Sequence, residues 1–204
     1  MRQPRKHTIP DRYALTFDDG PDPVWTPRVL DALADHKIVA TFFCSLPAAQ
    51  QSPGLIERMR AEGHEVGFHC VEHVRHTERS GAEVRAEAHE GKSGLELLGA
   101  EPSSWRTPWG IHTDASIAAA GETGLELWHW SFDTHDWRGD TADQMEAALP
   151  GGELGDGEVV LMHDALGPGA RREDCRHTVE LIGRLAASGR RRRLAPTTLG
   201  GVDA

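Results

Sequence analysis

Short apolar runs rich in β-branched and aromatic residues alternate along this chain with longer segments whose apolar positions recur every three to four residues. The first run predicts a strand over residues 13–17. Residues 26–36 predict a helix, with Thr26 opening it and Pro27 at its first position. Further strands are expected over residues 38–43, 64–69, 125–132, 158–162 and 192–198, with a short one near Trp105. Helices are expected over residues 53–61, closed by Gly63, and over 81–98, 114–122, 141–149 and 174–187. Gly91 and Gly94 weaken the helix that contains them. Unbroken strand–helix alternation implies a mostly parallel sheet with crossover helices. With 204 residues the chain falls short of the ~250 of a full eight-unit barrel. The expected fold class is therefore α/β, a distorted (β/α) barrel of about seven strands in a single domain. That domain covers residues 11–200, behind a polar and basic N-terminal extension of residues 1–10.

A hydrophobic content of 38% supports one well-packed core. The formal net charge of −10 argues against nucleic acid or an anionic membrane surface as partner. The run from Arg190 to Arg193 reads as a solvated patch between a helix end and a strand start. Cys44, Cys70 and Cys175 are odd in number and lack framework spacing, as expected of reduced thiols. Residues 1–10 contain no apolar signal segment and no run has the length of a membrane span. The expected location is the cytoplasm, or outside the cell if a leader precedes this sequence. Oligomeric state is not encoded in any pattern of this kind.

Parallel sheets place their chemistry at the carboxyl ends of their strands. That rule selects Asp18-Asp19, His69, Arg106-Thr107, Asp133 onward and His163-Asp164. The adjacent acids precede Gly20-Pro21, a turn that can undo strand alternation and aim both into one pocket. Taken alone, they fit an Asp-rich turn. In a shared pocket, like charges push one pKa up unless a cation intervenes. His69 and His73, four apart, share a face if a helical turn follows the strand. With Asp19 they would form a two-His, one-carboxylate metal site with open positions. His76 falls on the same face, so a three-His site without Asp19 is the competing scheme. Cys70 reads as a structural thiol. His163 has the intrinsic pKa to protonate a leaving amine. The Arg106 guanidinium could fork onto a catalytic carboxylate, and Asp133 or Asp136 could hold the His163 imidazole.

In order, Thr16-Phe17-Asp18-Asp19-Gly20-Pro21, His69-x-x-x-His73, Arg106-x-Pro108-Trp109, Asp133-x-x-Asp136-Trp137 and Leu161-x-His163 resemble the polysaccharide deacetylase family. This is the NodB homology domain of carbohydrate esterase family 4, and the likeness runs over nearly the whole chain. The resemblance implies a divalent cation, usually Zn²⁺ with Co²⁺ or Ni²⁺ as substitutes, on Asp19, His69 and His73. It implies Asp18 as general base, His163 as general acid, Arg106 fixing Asp18, and Asp136 rather than Asp133 tuning His163. The Trp109 backbone N–H would help stabilise the oxyanion, and Trp137 and Leu161 would line the pocket for the acetyl methyl.

Two departures from the family pattern lie beside the metal candidates. Cys70 stands where a Ser or Thr hydroxyl usually follows the first histidine, and Val74-Arg75-His76-Thr77 replaces a proline-containing segment. Arg75, His76 and Arg79 are expected to form a basic cluster on the rim. The expected reaction is metal-dependent removal of an acetyl group from an N-acetylated amino sugar or its conjugate. The favoured substrate is a soluble small molecule or oligosaccharide rather than bulk polymer. The competing readings are hydrolysis of a non-sugar N-acyl, ureide or imide amide, and a sugar-binding domain without catalysis.

Overall fold

A computed structural model describes residues 3–200. Its strands are β1 (Arg12–Asp18), β2 (Thr41–Ser45), β3 (Glu65–Cys70), β4 (Ser104–Trp105), β5 (Glu126–Leu127), β6 (Phe132–Asp133), β7 (Glu158–His163) and β8 (Ala195–Pro196). The helices are α1 (Trp25–His36), α2 (Leu46–Gln51), α3 (Pro53–Ala61), α4 (Gly81–Leu97), α5 (Asp114–Thr123), α6 (Ala142–Ala147) and α7 (Arg176–Arg192). Seven parallel strands follow the order β5-β4-β3-β2-β1-β7-β6, and β8 pairs with the start of β1. The sheet curls into a partial barrel with the helices outside it, in one domain.

Alternation along β1 explains both faces. Tyr13, Leu15 and Phe17 pack outward into the main core with α1 and α7 residues such as Leu30, Leu33 and Leu181. Ala14 belongs instead to a small inner cluster with Phe43, Trp128, Val159 and Leu199. Thr16 and Asp18 share its strand face, so the inner face turns from apolar to polar toward the carboxyl end. Register completes the placement: Asp18 lies beside His163 across β1–β7, and Phe68 beside Trp105 across β3–β4.

The structure departs from the sequence-based expectations in specific places. The run at residues 125–132 is two strands at opposite ends of the sheet, β5 and β6. Between them the chain crosses the mouth of the curl, and the N–H of Trp128 reaches the Trp105 carbonyl while that of Ser131 reaches the Val159 carbonyl. Those aromatic residues fill the barrel interior, which explains their apolar character without a continuous strand. The N-terminal extension is stitched onto this crossing, with Arg5 N–H on the Leu127 carbonyl and His129 N–H on the Arg5 carbonyl. Thr26 does not cap α1. Asp22 Oδ1 accepts from the Val24 and Trp25 N–H groups, both at 2.8 Å, so the helix starts at Trp25 and Pro27 is its third residue. Helix α2 has no counterpart in the expectations.

Helix α4 tolerates its glycines because they are contact points. A Cβ on Gly91 would overlap the Phe68 ring of β3, and one on Gly94 would overlap Leu46 of α2. The helix gains a capping box between Ser80 and Glu83. Cys44, Cys70 and Cys175 are free and buried. Among the described residues no helix is long and apolar enough to cross a membrane.

Candidate active site

The carboxyl ends of β1, β3 and β7 and the loops after β4 and β6 surround one cleft with a cavity volume of about 210 Å³. It takes in Asp18, Asp19, His69, His73 and His163, together with the predicted pocket residues Trp109, Trp137 and Leu161. Asp19, which follows β1, has φ 76° and so leaves the strand in the left-handed region. That single residue, ahead of the Gly20-Pro21 turn, breaks the alternation and sends the two carboxylates to different partners.

Asp18 is 4% exposed and faces Arg106, which is fully buried. Arg106 Nη1 donates to Asp18 Oδ1 at 2.8 Å and to Thr16 Oγ1 at 2.7 Å. Nη2 donates to the His129 carbonyl at 2.9 Å, so the expected two-pronged fork onto one carboxylate is a single contact. The guanidinium also lies 4.2 Å over the Phe43 ring, which fixes its plane.

Asp19 Oδ1 lies 3.3 Å from His69 Nε2 and 3.3 Å from His73 Nε2. Two donors at about 2.05 Å from a tetrahedral zinc ion are about 3.3–3.4 Å apart, so these separations suit a common ion. His69 Nδ1 lies 2.7 Å from the Arg106 carbonyl, to which it donates when protonated, which turns Nε2 toward Asp19 as a metal-ligating imidazole requires. Burial alone would raise the Asp19 pKa; the His69 hydrogen bond and the charges of His69, His163 and His73 overcome it and hold the group at about 2. Among the described residues these three form the one cluster of at least three His, Cys or acidic side chains with metal-ligand spacing. His76 is not in it. That side chain is 1% exposed, with Nδ1 2.8 Å from Ser116 Oγ, so neither the three-His scheme nor a place on the rim describes it.

His163 and Asp136 form the second half of the site. His163 Nδ1 is 2.8 Å from Asp136 Oδ1, and the His163 N–H donates to Asp136 Oδ2 at 2.9 Å. Arg172 Nη1 (2.9 Å) and Thr178 Oγ1 (2.7 Å) also donate to Oδ2. These charges and donors outweigh burial and hold Asp136 well below the usual carboxylate range. For His163, burial lowers the pKa, but the charge and hydrogen bond of Asp136, then Asp19 and Asp18, raise it to about 9. Asp133 lies elsewhere on the cleft wall, accepting the His135 N–H at 2.7 Å. Asp164, next to His163, packs behind the Gly20 turn, where burial raises it to about 7 and Thr26 Oγ1 bonds it at 2.5 Å.

Sequence reasoning did not find Arg172, Thr178 or Trp130, and it gave Thr16 no role of its own within the first motif. Arg172 sits in a solvent-type run beside Arg171, and no local pattern separates the two; only folding brings it to Asp136. Trp109 reaches the cleft mouth through a turn with φ 60° at Trp109 itself; the residue is 41% exposed and its ring is edge-on to His73 at 4.9 Å.

A curled parallel sheet with this carboxylate–imidazole constellation at its carboxyl end defines a hydrolase whose donors suit a divalent cation. The chain belongs to the polysaccharide deacetylase family, whose model matches residues 5–128. It is 36% identical over 167 residues to a chitooligosaccharide deacetylase of Sinorhizobium fredii, covering 81% of this chain and 77% of that protein. Over 154 residues it is 36% identical to a peptidoglycan-N-acetylglucosamine deacetylase of Bacillus cereus, covering 74% and 71% respectively. Among solved structures, the Bc1960 peptidoglycan N-acetylglucosamine deacetylase superposes with a TM-score of 0.87 at 28% identity, over 97% of this chain and 91% of the other. A family 4 carbohydrate esterase from Streptomyces lividans in complex with acetate gives 0.81 at 27% identity, over 91% of both chains.

Proposed function

We propose that this protein hydrolyses the acetamido group of N-acetylglucosamine units in a short oligosaccharide, releasing acetate and a free amine. The observation that carries this reading is the convergence of Asp18, His163 and the Asp19–His69–His73 donor set on one cleft. Asp19, His69 and His73 would hold a divalent ion, for which Zn²⁺ suits the donor set and Co²⁺ or Ni²⁺ are substitutes. When bound, such an ion polarises a carbonyl and acidifies water. Asp18, oriented by Arg106 and Thr16, takes the proton of the attacking water as its oxygen bonds to the carbonyl carbon. His163, kept protonated by Asp136, delivers a proton to the nitrogen as the C–N bond breaks. The Trp109 backbone N–H would serve the developing oxyanion, while Trp137 and Leu161 flank the acetyl methyl.

Cleft size suits a single acetylated unit of such a substrate. About 210 Å³ lies below the ~300–1,000 Å³ of pockets that enclose drug-sized ligands, so the cleft encloses an acetylated unit and leaves the rest of a glycan outside. The test is acetate release by metal-stripped and Zn²⁺-restored protein from N-acetylglucosamine oligomers, peptidoglycan and a simple acetyl ester. Release that survives chelation, or that Asp18→Asn leaves intact, would sink the proposal.

A further inference from the structure

His69 and His73 are secured in different ways. His69 is fixed through its ring by the Arg106 carbonyl, and through its own carbonyl by Trp105 Nε1 at 3.0 Å. His73 Nδ1 is buried with no hydrogen-bond partner outside its own residue, and its ring meets Trp109 edge-on and the His69 ring at a tilt. The position of His73 therefore depends on the backbone that carries it. That backbone is an irregular stretch after β3, and Cys70, a weak donor, stands where the family pattern usually has a Ser or Thr hydroxyl.

One buried carboxylate reaches this stretch from a neighbouring helix. Glu87, 3% exposed on the inner face of α4, accepts the Val71 N–H at 2.9 Å and the Glu72 N–H at 3.3 Å, both on Oε1. Its other oxygen faces two cationic or titratable groups, His76 Nε2 at 3.6 Å and Arg79 Nη1 at 3.8 Å. His76 is in turn tied to Ser116 of α5, and Arg79 to Glu72 at 2.6 Å. From the stretch after His73, the His76 side chain is thus buried and Arg79 half-buried, and both face the Glu87 carboxylate. A carboxylate in such a place is retained only with partners, and here two of them are consecutive amides just before His73.

We propose that Glu87 is the positioning residue for His73: it clamps the Val71–Glu72 backbone and sets the imidazole at its distance from Asp19. His76 and Arg79 hold Glu87 in turn. This rests on the metal-site reading for its consequence, since groups that orient metal ligands typically change affinity by about 10–100-fold.

Two measurements test it. The first needs no metal: amide hydrogen exchange of Val71 and Glu72 in the unmodified protein. Protection well above that of an open loop is expected, and exchange at the open-loop rate would overturn the clamp. The second compares Zn²⁺ affinity, by chelator competition, in the unmodified protein, Glu87→Gln and Glu87→Met, with far-UV circular dichroism and Tm recorded for each. Gln keeps a carbonyl acceptor for both amides, so its affinity should stay within about threefold. Met removes the acceptor at similar size, so a loss of about 10–100-fold is expected in folded protein. Equal losses in Gln and Met, or a folded Met variant with unchanged affinity, would refute the proposal. Should Met fail to fold, exchange at the two amides in Gln still decides: protection must persist. Absence of Zn²⁺ uptake by the unmodified protein would instead strike the metal-site reading and leave the exchange result standing.

Discussion

Replacing Asp136 by Asn tests the acid half of the site. In the native arrangement Asp136 accepts from His163 Nδ1, the His163 N–H, Arg172 and Thr178, all between 2.7 and 2.9 Å. An Asn can keep its carbonyl toward the three donors on the Oδ2 side, which leaves its NH₂ facing Nδ1. That geometry favours the neutral imidazole with Nδ1 as acceptor, and removes the largest influence raising the His163 pKa. The raised value of about 9, against an ordinary 6.5, corresponds to about 3 kcal/mol in favour of the imidazolium. A cation at Asp19 would oppose part of this, so the alkaline limb of kcat/KM in the metal-loaded enzyme is expected at or somewhat below pH 9.

The assay is acetate release across pH 5.5 to 10 for the metal-loaded native enzyme and Asp136→Asn, with His163→Ala as reference. The Asn variant should lose roughly 10²–10⁴ in kcat/KM near neutral pH, and its alkaline limb should move down by at least about one pH unit. Stability gives a second readout. Because the folded pKa of His163 is raised, its contribution is fully present below about pH 6.5 and is lost as pH rises through about 9. The native Tm should therefore fall over that window more steeply than that of Asp136→Asn. A variant with the native pH–rate profile would refute the assignment of His163 as an acid poised by Asp136.

Asp19→Ala or His73→Ala should abolish stoichiometric Zn²⁺ uptake measured by equilibrium dialysis with elemental analysis, while far-UV circular dichroism stays native. Asp18→Asn should keep metal affinity within about threefold and lose at least about 10² in kcat. Arg106→Ala leaves a 4%-exposed carboxylate without its charged partner, so a loss of about 3–5 kcal/mol is expected in denaturant titration. A Cβ on Gly167 would overlap Asp19 Oδ2, so Gly167→Ala should weaken Zn²⁺ binding by displacing that oxygen, with little change in Tm. Gly91→Ala drives a methyl into the Phe68 ring and should lower stability by about 1–3 kcal/mol in the same titration.

The alternating architecture and the strand-end placement of the candidates were legible because period-2 and period-3.6 patterns are local and most apolar runs keep one role. The run at residues 125–132 was not, because an apolar stretch crossing a barrel mouth looks the same as a strand. Thr26 misled for a related reason: a residue with capping chemistry was recruited by Asp164 through the fold, and the Asp22 carboxylate accepts the N–H groups of Val24 and Trp25 where the helix begins. In the site, Asp18, Asp19, His69, His73, Arg106 and His163 stand in recognisable strings, whereas Arg172 and Glu87 act across 36 and 16 residues of sequence. Side chains that brace a site from elsewhere in the fold leave no spacing to read.

The adjacent acids Asp18 and Asp19 pose one electrostatic problem in sequence and two in the folded chain. A single cation between them would be one answer to their repulsion. Instead, the left-handed backbone of Asp19 separates them, and each has its own positive partner set. Asp18 has a counterion built into the fold, the buried Arg106, whose plane is fixed by Phe43, Thr16 and the His129 carbonyl. Asp19 faces only imidazoles, which are weak and titratable counterions but good ligands. Asp18 is therefore held in place by the fold itself, and the carboxylate without a permanent cation is the one that stands with two histidines at metal-ligand spacing. In the proposed mechanism this division would let two adjacent carboxylates serve as base and ligand without sharing a proton.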